Sequence, residues 1–296
     1  MDQQTMKQTL EIRKRGVERT LGSCLEHTSI PDSLREAMEY SLLAGGKRIR
    51  PVLCLTWARL FGASEEPVLP FAASLELIHT YSLIHDDLPA MDDDATRRGQ
   101  PSNHVRFGEA QAILAGDGLL THAFSMMLSV PLQAERVLAA ASEVARAAGP
   151  AGMVGGQVMD MALTGLGVTE VETLKRMHSM KTGAMLRVSC LSGALLAGAG
   201  SAGLEKAKRF GAALGLAFQV ADDILDVIGD EQKMGKPVGS DTKHSKLTYP
   251  ALLGLDRSRR LGDSMVQESK EALSGLQSEE ADFLTALAKY VMHRTE

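Results

Sequence analysis

The chain has 296 residues, of which 44% are hydrophobic, and it carries a formal net charge of −5 at pH 7. This size and apolar content allow a sizeable core in one large domain or two ordinary ones, and the acidic balance disfavours a nucleic-acid-binding surface, which needs clustered positive charge. We expect neither a membrane span nor export, because about twenty uncharged apolar residues never occur in a row and the charged N-terminal segment lacks the apolar centre of a secretory signal.

Helix-forming residues dominate the chain, since Ala, Leu, Met and Glu are abundant and only 4% of residues are aromatic. The pattern predicts an all-α, single-domain protein over residues 1–296 with about ten or eleven helices. In chain order the predicted helices cover 4–27, 32–44, 48–61, 68–88, 107–129, 133–148, 151–163, 170–199, 201–229, 249–276 and 280–293. Two charged, turn-rich segments, 91–103 and 229–246, interrupt this pattern and are candidate loops beside a functional site.

The helix predicted over 201–229 carries one polar stripe on an otherwise apolar surface. Its members fall at i, i+3, i+4 and i+7: Gln219, Asp222, Asp223 and Asp226. Such a stripe should face a cavity or a partner, where neighbouring carboxylates repel one another and lose their hydration unless a cation compensates. The stripe therefore predicts a cation site.

A second acidic cluster follows the apolar helix predicted over 68–88. Asp86 and Asp87 come directly before the helix-breaking Pro89, and Asp92 lies one short turn further on. Oxygen-only clusters on two buried helices are typical of Mg²⁺, which shares its coordination shell with water and substrate phosphates. Zinc would be expected to recruit Cys or His instead.

Basic residues that could bind phosphate occur at four places along the chain. They are Lys47, Arg48 and Arg50 behind two glycines, Arg97 and Arg98 behind the first aspartates, Lys181 inside an apolar helix, and Lys236 and Lys246 behind the second cluster. Each alone is most simply a solvated side chain. Together with the acidic clusters they indicate diphosphate groups held by metal on one side and by Arg and Lys on the other.

Six segments resemble, in order and spacing, the motifs of the trans-type polyprenyl diphosphate synthases. They are GGKRIRP (45–51), HTYSLIHDDLPAMDDDATRRGQPSNH (79–104), GGQVMD (155–160), KTG (181–183), FQVADDILD (218–226) and GKPVGSDTKHSKLTYPALLGL (235–255). The resemblance implies the isoprenoid synthase fold, a helical bundle around a central cavity. It also implies a prenyltransferase that condenses isopentenyl diphosphate head to tail with an allylic diphosphate.

The same resemblance implies roles for individual residues. Metal ligands for three Mg²⁺ ions around the allylic diphosphate would be Asp86, Asp92 and Asp222, with Asp87 and Asp226 in support. Further cations for that diphosphate would be Arg97, Lys181, Lys236 and Lys246. Isopentenyl diphosphate would be bound by Gly46, Lys47, Arg50, His79 and Arg98. Thr182 and Gln219 would lie beside the reacting carbons, where their dipoles stabilise positive charge while metals and cations stabilise the departing diphosphate.

Product length depends on the turn before Asp86. An allylic tail that runs toward the helix N-terminus would meet Tyr81 and Ser82 there. An aromatic residue at the fifth position before the first aspartate, with an insertion that contains Pro89, resembles the bacterial farnesyl type of the family. We therefore expect the C15 product, (2E,6E)-farnesyl diphosphate, from dimethylallyl and geranyl diphosphates. A core role for Tyr81 without product contact remains an alternative.

Other functions stay open on the sequence alone. Within the family, geranylgeranyl (C20) or geranyl (C10) diphosphate could be the product, and a non-enzymatic regulatory subunit of a heteromeric synthase is a further candidate. The motifs DDILD and GGKRIRP disfavour a class I terpene cyclase. His85 beside Asp86 could belong to a metal phosphohydrolase, but the further histidines that such a site needs are not evident.

Assembly and compartment are also expectations. The resemblance implies a homodimer, for which the apolar helix at 107–129 is a candidate interface. The cysteines Cys24, Cys54 and Cys190 match no disulfide or metal pattern, which favours reduced thiols in a cytoplasmic protein.

Overall fold

The computed structural model describes residues 1–26, 29–165, 170–228 and 247–293. Its helices are α1 (Gln3–Ser23), α2 (Asp32–Leu42), α3 (Ile49–Leu60), α4 (Leu69–Asp86), α5 (Asn103–Phe107), α6 (Glu109–Leu128), α7 (Ala134–Ala148), α8 (Met153–Leu163), α9 (Val171–His178), α10 (Ala184–Leu196), α11 (Ser201–Ile228), α12 (Tyr249–Leu253), α13 (Leu255–Ala272) and α14 (Glu279–His293). A π-helical turn, Ser179–Gly183, joins α9 to α10. The predicted all-α class is confirmed.

Two predicted helices are divided in the structure, and a third begins two residues later than its predicted start. The helix expected over 107–129 is preceded by the short α5 and begins only after Gly108, and the one expected over 249–276 breaks at Gly254. These glycines have φ angles of +86° and +76°, a backbone state that residues with a Cβ rarely adopt. The helix expected over 170–199 is interrupted by the π-helical turn between α9 and α10, which the hydrophobic periodicity does not reveal.

The segment 91–103, predicted as non-helical, contains a minimal antiparallel hairpin. Its strands β1 (Thr96–Arg97) and β2 (Gln100–Pro101) pair Arg97 with Gln100. The hairpin directly follows the first aspartate cluster and therefore sets where the arginines behind that cluster lie. The other predicted loop, 229–246, lies outside the described residues.

Helices α4 and α11, which carry the two aspartate clusters, are both packed within the bundle. All residues from Phe71 to Ile78 of α4 are buried, and α4 packs against α6 and α3. Helix α11 packs against α10 and α13. Helices α3 and α10 pack on each other, which connects α4 on one side of the bundle with α11 on the other. None of the described helices is both long and apolar enough to cross a membrane.

Candidate active site

Asp86 ends α4 in a partly buried, acidic environment. Burial raises the pKa of its carboxyl to about 6, and the negative charges of Asp92 and Asp87 add to the rise while Lys181 and Arg97 oppose it. The backbone N–H of Asp92 donates to the Asp86 carbonyl at 2.9 Å, which turns the chain back beside the helix end. A carboxyl held in this way is stabilised as an anion when a cation binds.

Asp87 differs from its neighbour because it is paired with Arg97. The Arg97 Nε lies 2.7 Å from Oδ1 and 2.8 Å from Oδ2 of Asp87, and the Asp87 side chain is only 3% exposed. Arg97 Nη2 also lies 3.4 Å from Asp94 Oδ2, so Asp94 gains a partner that the sequence did not indicate. The carboxylates of Asp87 and Asp94 thus hold Arg97, which belongs to the hairpin, at the first aspartate cluster.

Two arginines expected to bind isopentenyl diphosphate, Arg50 and Arg98, lie near His79 of α4. Burial lowers the pKa of His79 well below its ordinary value, and the positive charges of Arg50 and Arg98 lower it further. Arg98 donates from Nη1 to the Gly45 carbonyl, and a Cβ built on Gly46 would lie 3.0 Å from its Nη2. A side chain at this position would crowd the guanidinium, and the φ angle of Gly46, +132°, also favours glycine here.

Arg50 is the second guanidinium of this group. Burial lowers its pKa, against the negative charges of Glu76 and Asp222. Its Nε is buried and has no hydrogen-bond partner within the described ranges. A buried guanidinium N–H of this kind is suited to an anionic ligand. Lys47, on the same segment, is exposed.

Arg48 is part of the core, although the sequence placed it among the candidate phosphate-binding residues. Its Nη1 donates to Glu76 Oε1 at 2.9 Å and its Nη2 to the Leu42 carbonyl at 2.8 Å. The side chains of Arg48 and Glu76 are 1% and 2% exposed. Arg48 therefore anchors the GGKRIRP segment to α4 by a buried ion pair.

Lys181 is held in the π-helical turn by Asp160 of α8, with Nζ 2.6 Å from Oδ2. The two neighbouring helices approach this turn through glycines. A Cβ on Gly156 of α8 would lie 2.2 Å from the Lys181 backbone nitrogen, and a Cβ on Gly215 of α11 would lie 2.7 Å from Gly183 Cα. The sequence assigned no role to Asp160, although this residue ends the motif GGQVMD.

Thr182 and Gln219 are joined in a hydrogen-bond chain across the bundle. The Thr182 hydroxyl donates to Gln219 Oε1 at 3.1 Å, and Gln219 Nε2 donates to Asp223 Oδ1 at 2.9 Å. The other oxygen of Asp223 accepts the backbone N–H of Tyr249 at 2.9 Å. The sequence placed Asp223 in one acidic stripe with Asp222, but its side chain is directed into these contacts.

The acidic residues fit Mg²⁺ better than a metal that needs a complete protein-ligand shell. Within the described ranges, no three carboxylate, His or Cys side chains converge on one point. Mg²⁺ is commonly held by one or two carboxylates, with waters and substrate phosphates completing its shell. The raised pKa of Asp86 and the oxygen-only donor set match that mode. Lys236 and Lys246, the remaining expected phosphate ligands, lie outside the described residues.

Tyr81 lies one turn before Asp86 and is 7% exposed. Its ring meets the His85 ring edge-on, with 5.7 Å between centroids. His85 Nε2 lies 3.1 Å from the Ile113 carbonyl of α6, and a Cβ on Gly116 would lie 2.1 Å from that nitrogen. Ser82, whose hydroxyl donates to the His79 carbonyl at 2.9 Å, is half-buried. Tyr81, His85 and α6 therefore form one closely packed wall beside the first aspartate cluster.

A helical bundle that sets two aspartate clusters beside grouped arginines, lysine and histidine defines the isoprenoid synthase class. The polyprenyl synthetase family model matches residues 31–283. The chain is 45% identical over 288 residues to farnesyl diphosphate synthase of Bacillus subtilis, with 96% of this chain and 97% of the relative covered. It is 44% identical over 284 residues to geranylgeranyl diphosphate synthase of Cyanophora paradoxa, with 95% and 94% covered.

Solved structures agree with this class. An FPP/GFPP synthase from Zymomonas mobilis in its apo form matches with a TM-score of 0.87 and 33% identity, covering 98% of this chain and 100% of that one. Geranylgeranyl pyrophosphate synthetase from Pyrococcus horikoshii matches with a TM-score of 0.90 and 28% identity, covering 98% and 99%. The chain belongs to the polyprenyl synthetase family and is a prenyltransferase of isoprenoid biosynthesis.

Proposed function

We propose that the protein is a farnesyl diphosphate synthase that adds isopentenyl diphosphate to dimethylallyl and then to geranyl diphosphate, giving (2E,6E)-farnesyl diphosphate. The observation that carries the C15 length is the buried Tyr81 ring, packed edge-on against His85 one turn before Asp86. An aromatic side chain there would end the space for a growing tail. The similar relative named geranylgeranyl diphosphate synthase makes the C20 product the second candidate.

The allylic diphosphate is proposed to bind between the two aspartate clusters. Asp86, Asp92 and Asp222 would hold Mg²⁺, whose charge would offset the repulsion among three carboxylates and a diphosphate; when bound, the ions stabilise the diphosphate as it leaves. The raised pKa of Asp86 supports this assignment.

The protein's own cations assist the same departure. Lys181, positioned by Asp160, and Arg97, positioned by Asp87, bring fixed positive charge to the edge of the first cluster. Lys236 and Lys246 are proposed for the same role. Because these charges are placed before the substrate ionises, they need little rearrangement as negative charge develops on the leaving group.

Isopentenyl diphosphate is proposed to bind at Arg50, His79 and Arg98, together with Lys47 and the backbone around Gly46. The depressed pKa of His79 keeps its ring neutral at pH 7, so it can donate a hydrogen bond without adding charge. The double bond of this substrate attacks the allylic cation beside Thr182 and Gln219. Their oxygen atoms stabilise the cation, and the released diphosphate accepts the final proton.

A homodimer in the cytoplasm completes the proposal. Helix α6 presents three exposed apolar side chains: Ile113 at 43%, Leu114 at 55% and Leu128 at 60%. Such residues on one long helix are suited to a partner surface. Analytical ultracentrifugation should give twice the mass of 31.7 kDa, and a single-chain mass would contradict the dimer.

The direct test is product analysis. Purified protein is incubated with Mg²⁺, labelled isopentenyl diphosphate and dimethylallyl diphosphate, and the dephosphorylated products are separated by chain length. Farnesol should predominate, and no product should form after chelation of divalent cations. A C20 product would support the second candidate, and the absence of any prenyl product with Mg²⁺ would contradict both.

A further inference from the structure

Asp223 holds two donors at once, one on each carboxylate oxygen. Gln219 Nε2 lies 2.9 Å from Oδ1 and the backbone N–H of Tyr249 lies 2.9 Å from Oδ2. Asp223 is 2% exposed. Its position next to Asp222 in the sequence would suggest a shared metal-binding role, but these contacts direct it toward α12.

The two contacts fix the orientation of the Gln219 amide. A carboxylate accepts hydrogen bonds but donates none, so the amide must turn its NH₂ group toward Asp223 and its carbonyl oxygen away. On that other side the carbonyl oxygen accepts from Thr182 at 3.1 Å. Reversing the amide would place two oxygens face to face at Asp223 and would also remove the acceptor that Thr182 uses.

The Asp223 carboxylate is itself held in place by its contact with Tyr249. Tyr249 is fully buried and begins α12, so the peptide N–H that Asp223 accepts belongs to a packed element. The ring of Tyr249 packs on His178, with 5.3 Å between centroids, and His178 is the last residue of α9 before the π-helical turn. The contacts therefore run from Thr182 through Gln219, Asp223 and Tyr249 to His178. This residue directly precedes the turn that carries Thr182.

We propose that Asp223 is a positioning residue that sets the Gln219 amide so that its carbonyl oxygen, with the Thr182 hydroxyl oxygen, faces the reacting allylic carbons. An oxygen there stabilises developing positive charge, whereas an NH₂ group would oppose it. The inference rests on the proposed function of the site as a prenyl diphosphate synthase. It separates Asp223 from Asp222, whose proposed role is to hold Mg²⁺.

The substitution Asp223→Asn tests the orientation. The new side chain has only one acceptor oxygen, which the fixed Tyr249 N–H would take, and its NH₂ group would face Gln219 and favour the reversed amide. We expect kcat to fall by about tenfold or more. The KM for isopentenyl diphosphate and the Mg²⁺ concentration for half-maximal activity should change by less than about twofold. The matched control is Asp256→Asn, at a side chain that is 85% exposed on α13.

A double-mutant cycle asks whether Asp223 acts through Gln219. Gln219→Met removes the amide while keeping a side chain of similar length, and it should itself lower kcat. In that background Asp223→Asn should make less than about a twofold further difference. Independent, multiplying effects would overturn the inference, and so would a large rise in the Mg²⁺ requirement of Asp223→Asn alone, since that would make Asp223 a metal-binding residue.

A measurement on the unaltered protein covers the case in which Asp223→Asn does not fold. Side-chain amides are labelled with ¹⁵N-glutamine, and the Gln219 signal is identified by its loss in Gln219→Met. Gln267 provides an internal comparison, because its Nε2 also donates to a carboxylate four residues on, Glu271 at 3.0 Å, but on an exposed surface. Gln219 protons should exchange with solvent at least about tenfold more slowly than those of Gln267.

Equal exchange rates would overturn the inference even if the protein makes farnesyl diphosphate. Conversely, slow exchange at Gln219 in a protein that forms no prenyl product would contradict the proposed function while leaving the fixed amide in place. The two hypotheses therefore fail separately.

Discussion

Arg97 binds Asp87 through both carboxylate oxygens, at 2.7 and 2.8 Å from its Nε. Asp86, one residue earlier, has a carboxyl whose pKa is raised to about 6 chiefly by burial. Adjacent aspartates of one motif thus differ in their electrostatic environment: the Asp87 carboxylate is closely paired with an arginine, whereas burial disfavours the charged form of Asp86. We therefore expect substitutions of Asp87 and of Asp86 to have different effects.

Asp87→Ala should destabilise the fold. It leaves the Arg97 guanidinium partly buried without its main partner, which should lower the free energy of unfolding by about 2–3 kcal/mol. The matched control is Asp94→Ala, since Asp94 is 36% exposed and 3.4 Å from the same guanidinium; its loss should cost at most about 0.5 kcal/mol. Urea unfolding of the three proteins measures both values. An equal loss of unfolding free energy in the two variants would show that the ion pair between Arg97 and Asp87 does not stabilise the fold.

Asp86→Asn should instead leave the fold intact and remove activity. Because the pKa of Asp86 is higher in the folded than in the unfolded protein, folding favours its protonated form, and stability falls as the pH rises from about 4 to about 6. A neutral amide at pH 7 should therefore not lower stability in the absence of Mg²⁺, while turnover falls by about 10³-fold or more. Asp222→Asn should lower turnover similarly. Steady-state kinetics and urea unfolding test both, and near-normal turnover in either variant would remove that residue from the metal site.

Tyr81→Ala should lengthen the product. Removing the ring from the wall formed with His85 and α6 opens space along the tail, so chains beyond C15 should accumulate while the Mg²⁺ requirement is unchanged. Tyr81→Phe, which keeps the ring and removes only the hydroxyl, should still give C15. Chromatography of dephosphorylated products distinguishes these outcomes. An unchanged distribution with Tyr81→Ala would mean that the tail does not reach this residue.

Low pH should destabilise the fold through His178. Burial lowers the pKa of His178 from 6.5 to about 3, so the unfolded chain binds a proton that the folded protein does not. Its contribution to stability is present above pH 6.5 and is lost as the pH falls toward 3, by about 2 kcal/mol between pH 7 and pH 5. His178→Phe should lose correspondingly less stability over that range. Parallel urea-unfolding curves at both pH values check this difference, and identical pH dependence in the two proteins would refute it.

The sequence predicted the helical class and the elements that carry the two clusters, because apolar periodicity and a helix-breaking residue such as Pro89 act locally. Gly254 was not recognised as a break, since apolar residues continue on both sides of it, and the short helix α5 before Gly108 was not predicted. Periodicity also placed Asp222 and Asp223 in a single stripe. What separates them is the Tyr249 backbone N–H, a partner 26 residues away, and spacing along one helix carries no information about such a contact. Arg48 was misjudged for the same reason, as its partner Glu76 lies on another helix.

The glycines at the π-helical turn have a consequence for how this protein can diverge. At Gly156 and Gly215 the backbones of α8 and α11 approach the turn that carries Lys181 and Thr182 too closely for any side chain. Side chains are therefore excluded beside the turn that carries the residues proposed to line the reacting carbons, since even one methyl group would displace its backbone. Tyr81 and His85 contribute side chains to the wall that they form with α6, so this wall can be altered by single substitutions, except at Gly116, where a Cβ would meet the His85 ring. On the proposed role of this wall, a few substitutions would change the product length while the chemistry stays the same.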